Sequence, residues 1–158
     1  MEENPKLSTY LKKPLLFIQA SMATQDELFE TISQAALELG WTRADFLQRI
    51  KEREQSFPTG IQLGKAGAAI PHTDAECVLQ EFVAVVTNKS PIDFSSMEDP
   101  EQTVKADIIF ILGLNRPHAQ LEMLQSLIGL LQNHIVLQQL IDSTNTNEFL
   151  ETIKQNQL

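Results

Sequence analysis

Ala106-Asp107-Ile108-Ile109-Phe110-Ile111-Leu112 is a run of strand length dominated by β-branched and aromatic side chains. A second such run, Phe82-Val83-Ala84-Val85-Val86-Thr87, lies upstream. Neither shows the in–out alternation of a half-exposed strand, so both read as strands covered on two faces. Two shorter strands are expected at Leu15–Ile18, after Pro14, and at Ala68–Ile70. A sheet covered on both sides needs helices to cover it.

The remaining chain supplies them. Thr24-Gln25-Asp26-Glu27 is a capping box, a hydroxyl with a glutamate three positions on. Leu28, Ile32, Ala35, Ala36 and Leu39 follow at helical spacing, and Gly40 can close the helix with a left-handed residue. Thr42 can cap a second helix carrying Phe46, Leu47 and Ile50, ending before Phe57-Pro58. Phe57–Pro71, with Gly60, Gly64 and Gly67, reads as loop up to the short strand. Ser90–Glu101, with Pro91 and Pro100, reads as a polar connector. Pro117 suits a first helical turn, and Leu121, Leu124, Leu127, Ile128 and Leu131 form its apolar face. Two more helices are expected, through Ile135–Ile141 and from Asn145 or Thr146, the last with Phe149, Leu150 and Ile153 inward. The order β-α-α-β-β-β-α-α-α predicts one α/β domain over residues 14–158, a small mixed β-sheet flanked by helices, behind a polar segment 1–13.

Composition narrows the classes. The chain has 158 residues, 42% of them hydrophobic, enough for a sizeable core. Twelve Lys+Arg stand against 21 Asp+Glu, a formal charge of −9. Nucleic-acid binders and proteins docking on anionic lipid usually show a basic face, so neither is expected. No apolar run reaches the ~20 residues of a membrane-spanning helix, and the N-terminus lacks the apolar centre of a signal peptide. Cys77, the single cysteine, fits a reducing compartment, and a cytoplasmic location is expected. Within this acidic chain, Phe57–Thr73 carries one charged side chain, Lys65.

No P-loop, GxGxxG, GxSxG or HExxH is present, and no Cys/His set has metal-ligand spacing. No cofactor or metal is expected. Cys77 lies five residues after His72 and reads as a small buried thiol rather than half of a nucleophilic pair. His72 follows the short strand at a proline-fixed turn, where side chains project from the sheet end. A neutral imidazole is a competent nucleophile toward phosphorus. A phosphohistidine would carry roughly −2 charge and need donors and cations around it. The glycine-rich window, the Thr59 hydroxyl and the guanidinium fork of Arg53 can supply these. On residues alone, a structural histidine in a binding domain without covalent chemistry remains the competing reading.

Arg53-Glu54-Gln55-Ser56-Phe57-Pro58-Thr59-Gly60, an eight-residue spacer, and Ala69-Ile70-Pro71-His72 together resemble the enzyme IIA domain of the mannitol/fructose class of bacterial sugar phosphotransferase systems. The downstream strand and the leucine-rich helix around Leu121-Glu122-Met123-Leu124 resemble the same family. The resemblance implies the mannitol-type IIA fold and a phosphoryl carrier role. His72 would accept phosphate from the phosphocarrier protein HPr and pass it to a cysteine of the cognate enzyme IIB. The phosphate would end on a sugar or polyol carried by the membrane enzyme IIC. Arg53 matches the arginine that faces the phosphoryl group.

One position departs from the pattern. Mannitol-type members have a second histidine directly before the leucine-rich helix segment, where this chain has Gln120, with His118 two residues earlier. Galactitol-type members also lack that histidine, so the resemblance is closest to the galactitol branch. Gln120 can donate a hydrogen bond but no charge. His118 is either a second donor or an exposed helix-start residue. Domains of this family also serve as regulatory modules whose phosphorylation state controls a partner protein, and that use is the alternative to the carrier role.

Overall fold

The two apolar runs lie side by side in the middle of the sheet. The computed structural model describes residues 6–158. Its strands are β1 (Leu11–Ala20), β2 (Gly60–Leu63), β3 (Ala66–Ala69), β4 (Phe82–Ser95) and β5 (Thr103–Gly113). They form one sheet in the order β1-β4-β5-β3-β2. β4 and β5 are antiparallel, pairing Val85 with Phe110 and Val86 with Ile109. β1 runs parallel to β4 and β3 parallel to β5, while β2 and β3 are antiparallel. The sheet is therefore mixed, as expected.

The helices are α1 (Leu7–Tyr10), α2 (Gln25–Glu38), α3 (Phe46–Ser56), α4 (Pro117–Leu131), α5 (His134–Asp142) and α6 (Thr146–Gln155). One core joins Val83, Val85, Ile108, Phe110 and Leu112 to Met123, Leu127, Leu137, Leu140 and Phe149. The other joins Ala84, Val86, Ile109 and Ile111 to Leu28, Phe29, Ile32, Phe46 and Ile50. Alternate side chains of β4 and β5 thus enter opposite cores, which is why these strands show no polar face.

Several boundaries differ from the reading above, each for a physical reason. Segment 1–13 does not stand apart from the domain: Leu7 and Tyr10 are buried and β1 already begins at Leu11. Residues 1–5 of that segment lie outside the described residues. Thr42 does not cap α3, whose first turn follows Asp45. The backbone at Trp41–Arg43 instead bonds to residues 77–80, with Arg43 N–H donating to Cys77 O at 2.8 Å. The stretch read as loop contains the β2–β3 hairpin, closed at Gly64 with φ 67°, a backbone state that glycine adopts without steric cost. The polar connector is strand as far as Ser95, with Ile92 and Phe94 buried between exposed neighbours.

Gly67 lets β3 approach β5 closely: a Cβ there would run into the carbonyl oxygen of Lys105. This approach places the residues after β3 against the end of β5. Pro71 O accepts from Leu112 N–H at 3.0 Å, and His72 bridges to Leu112 in parallel sense. No helix among the described residues is long and apolar enough to cross a membrane.

Candidate active site

His72 sits where β3 ends, its backbone anchored to β5, the neighbouring interior strand. Its side chain is half-buried and lines an open cleft with Arg53, Thr73, Asp74, Pro117, Gln120 and Leu121. His72 Nδ1 lies 2.9 Å from the carbonyl oxygen of Ile70. A carbonyl only accepts, so the neutral ring donates from Nδ1–H and keeps its lone pair on Nε2. Burial pushes the imidazole below its ordinary value of 6.5; the Ile70 bond opposes this and the nearby Arg53 charge reinforces it. The ring is therefore neutral and nucleophilic near pH 7.

Arg53 reaches the cleft from the last turn of α3. Its guanidinium lies 4.5 Å from the centroid of the Phe57 ring, a cation–π contact. Among the described residues no carboxylate pairs with it. Arg49, one turn earlier, is fully engaged by Asp45, Asp74 and Glu76. The cleft thus holds a neutral nucleophile beside an unpaired fork donor, an arrangement suited to a phosphoryl group.

The opposite wall is the first turn of α4, whose dipole presents its positive end. Gln120 contributes from there: its Nε2 donates to Thr73 O at 2.9 Å, tying the helix to the loop after His72. Leu121, expected in the core, is 51% exposed at the cleft, because α4 turns Ala119, Met123, Leu127 and Leu130 toward the sheet instead. His118 is not part of the cleft lining. It is exposed, with Nε2 2.8 Å from Glu122 Oε1 one turn on. Cys77 is buried in the second core, its thiol pushed up chiefly by burial.

Thr59 does not face the cleft. It is buried; its hydroxyl donates to Glu54 Oε1 at 2.7 Å and accepts from Ile70 N–H at 3.1 Å. Its own N–H donates to Glu54 Oε2 at 2.7 Å. Burial raises the Glu54 carboxyl to about 7, against the pull of the Thr59 bonds. The window from Phe57 to Thr73 is free of acids in sequence, yet this carboxyl lies beneath it. The signal for Glu54 was in the spacing, since Phe46, Ile50 and Glu54 are the buried residues of α3, four apart.

Fold and cleft together define a small α/β domain built around one histidine at a strand end. The family model for "Phosphoenolpyruvate-dependent sugar phosphotransferase system, EIIA 2" matches residues 9–156. The chain belongs to this family. It is 28% identical over 159 residues to the probable licABCH operon regulator of Bacillus subtilis (strain 168), covering 99% of this chain but spanning only 23% of that regulator. It is 27% identical to the galactitol-specific EIIA component of Escherichia coli (strain K12), covering 83% of this chain and 88% of that one. The fold matches enzyme IIA mannitol of Escherichia coli, solved in complex with phosphorylated enzyme IIB mannitol. The TM-score is 0.72 at 21% identity, over 92% of this chain and 97% of that one.

Proposed function

We propose that His72 accepts a phosphoryl group on Nε2 from phosphorylated HPr and hands it to a cysteine of a cognate enzyme IIB. In the first step the Nε2 lone pair attacks phosphorus, the P–N bond of the donor breaks, and its electron pair returns to the donor imidazole. In the second, the IIB thiolate attacks, the new N–P bond breaks, and the pair returns to His72. Positioning and charge stabilisation suffice for such in-line transfer. Arg53 is the phosphate-binding fork, and Gln120 holds the Thr73 loop that walls the cleft. His118 and Thr59 do not touch the phosphate. The observation that carries the reading is the Nδ1 bond to Ile70, which leaves Nε2 as the free nucleophilic nitrogen. The work is cytoplasmic, and the carried group ends on a galactitol-like sugar or polyol through enzyme IIC.

Incubation with phosphorylated HPr tests it. Wild type becomes labelled at His72 and passes the label to IIB, while a folded His72→Ala protein takes up none. Undiminished incorporation in that variant overturns the assignment. The similarity to the licABCH operon regulator over almost the whole chain favours a second reading, a regulatory module controlled by the phosphorylation state of His72. Labelling by HPr without onward transfer to any IIB cysteine selects that reading.

A further inference from the structure

We infer that Glu54 is a positioning residue for His72, acting through Thr59 and Ile70. This rests on His72 being the acceptor. The connection is a continuous set of hydrogen bonds. Both Glu54 carboxyl oxygens accept from Thr59, one from its N–H and one from its hydroxyl, each at 2.7 Å. With its proton given to Glu54, the Thr59 oxygen is left to accept from Ile70 N–H at 3.1 Å. The Ile70 carbonyl then takes the Nδ1–H of His72 at 2.9 Å.

Ile70 is the point where this matters. It is fully buried and lies one residue beyond the last ladder pairs of β3, at Ala69. Its N–H therefore depends on Thr59 in place of a strand partner, and a buried donor left unpaired is costly. The peptide planes on either side of Ile70 set where its carbonyl points, and so which tautomer and ring orientation His72 adopts.

Packing alone does not account for an acid at this position. Glu54 is 4% exposed, and among the described residues its hydrogen-bonding partner is Thr59, not a cation. Burying a carboxyl without a counter-charge is unfavourable. What a carboxylate offers is two acceptors side by side, able to take N–H and O–H from one residue. A glutamine has one acceptor and would turn its NH2 toward one of those two donors.

The test compares wild type with Glu54→Gln and Thr59→Val at pH 8, above the carboxyl's value near 7. Long-range 1H–15N NMR of the unphosphorylated proteins reads the His72 tautomer. Stopped-time labelling by phosphorylated HPr separates kcat from KM. The expected result is a shift from the Nδ1–H toward the Nε2–H tautomer in folded Glu54→Gln. With it comes a fall in kcat on the order of tenfold to a hundredfold and little change in KM. If Glu54→Gln does not fold, Thr59→Val carries the test. It breaks the link to Ile70 and should show the same shift, with Thr59→Ser recovering the rate relative to it. A wild-type tautomer and kcat in the folded variant overturn the inference. Failure of wild type to be labelled at all overturns the acceptor reading instead, and the tautomer measurement still decides the role of Glu54.

Discussion

The guanidinium of Arg53 is stacked on the Phe57 ring, 4.5 Å from its centroid, four residues on and just past the end of α3. Phe57 is 60% exposed, so its ring serves as a rest for the arginine more than as core. Phe57→Ala should release Arg53 and slow phosphoryl transfer severalfold, in keeping with about 0.5–1 kcal/mol for an exposed cation–π contact. Thermal unfolding should stay close to wild type. Arg53→Ala should cost more in rate than Phe57→Ala. Arg53→Lys should fall between wild type and Arg53→Ala, since an ammonium keeps the charge but loses the fork. Transfer kinetics from phosphorylated HPr, run beside melting curves, check this order.

His72 is lowered from 6.5 first by burial and then by Arg53, with the Ile70 bond opposing. An NMR titration of its ring should therefore give a midpoint below 6.5. Arg53→Ala should move that midpoint upward. Because the native state binds this proton more weakly than the unfolded chain, His72 costs stability as pH falls through the unfolded value.

Glu54 behaves in the opposite sense. Its folded value of about 7 lies above the ordinary 4.5, so the native state holds this proton more tightly. The stability it contributes is complete below pH 4.5 and is lost as pH rises through about 7. The span corresponds to about 3 kcal/mol. Urea unfolding of wild type and Glu54→Gln across that range should show the wild type falling relative to the variant by an amount of this order. Parallel curves would mean that the carboxyl does not titrate there.

Gly67→Ala should damage both fold and site. The added methyl meets the Lys105 carbonyl across the β3–β5 pair, and overpacking of this kind costs about 1–3 kcal/mol. The strand that leads into His72 must shift to relieve it. A lowered denaturation midpoint together with slower labelling checks the link.

His118→Ala should leave labelling at the wild-type level. The side chain is 84% exposed and paired with Glu122 on the solvent side of α4, and exposed pairs contribute little. The same labelling assay reads this directly.

Where local chemistry agreed with the fold, the sequence was legible. Thr24 caps α2 as expected, with Glu27 N–H donating to Thr24 Oγ1 at 3.1 Å, while the Glu27 carboxylate reaches back to Ala23 N–H at 2.7 Å, one residue before the cap. The continuous apolar runs of β4 and β5 announced two covered faces. The hairpin was hidden because β2 and β3 are four residues each, and their glycines serve close approach as well as turns. Ile92 and Phe94 were hidden behind Pro91, although their alternation with exposed residues is a strand signal. His72 and Arg53 stand out in the sequence by motif and residue type, and the fold brings both to one cleft. Thr59 was legible as a residue but not in its role, because only the folded chain shows where its hydroxyl is spent. Glu54 was missed because charge on a helix reads as solvent-facing, even at buried spacing.

Under the proposed function, the engagement of Arg49 bears on how a phosphate would be received. Asp74 and Glu76 follow His72 within four residues, and free carboxylates at that distance would repel a dianion. Arg49 draws both to itself and to Asp45, on the turn of α3 below the one that carries Arg53. The two arginines thus divide the labour of a single helix edge. On the proposed reading of His72, Arg49 offsets the charge of the loop that follows it, whose Asp74 lines the cleft, and Arg53 is left open to an incoming phosphate.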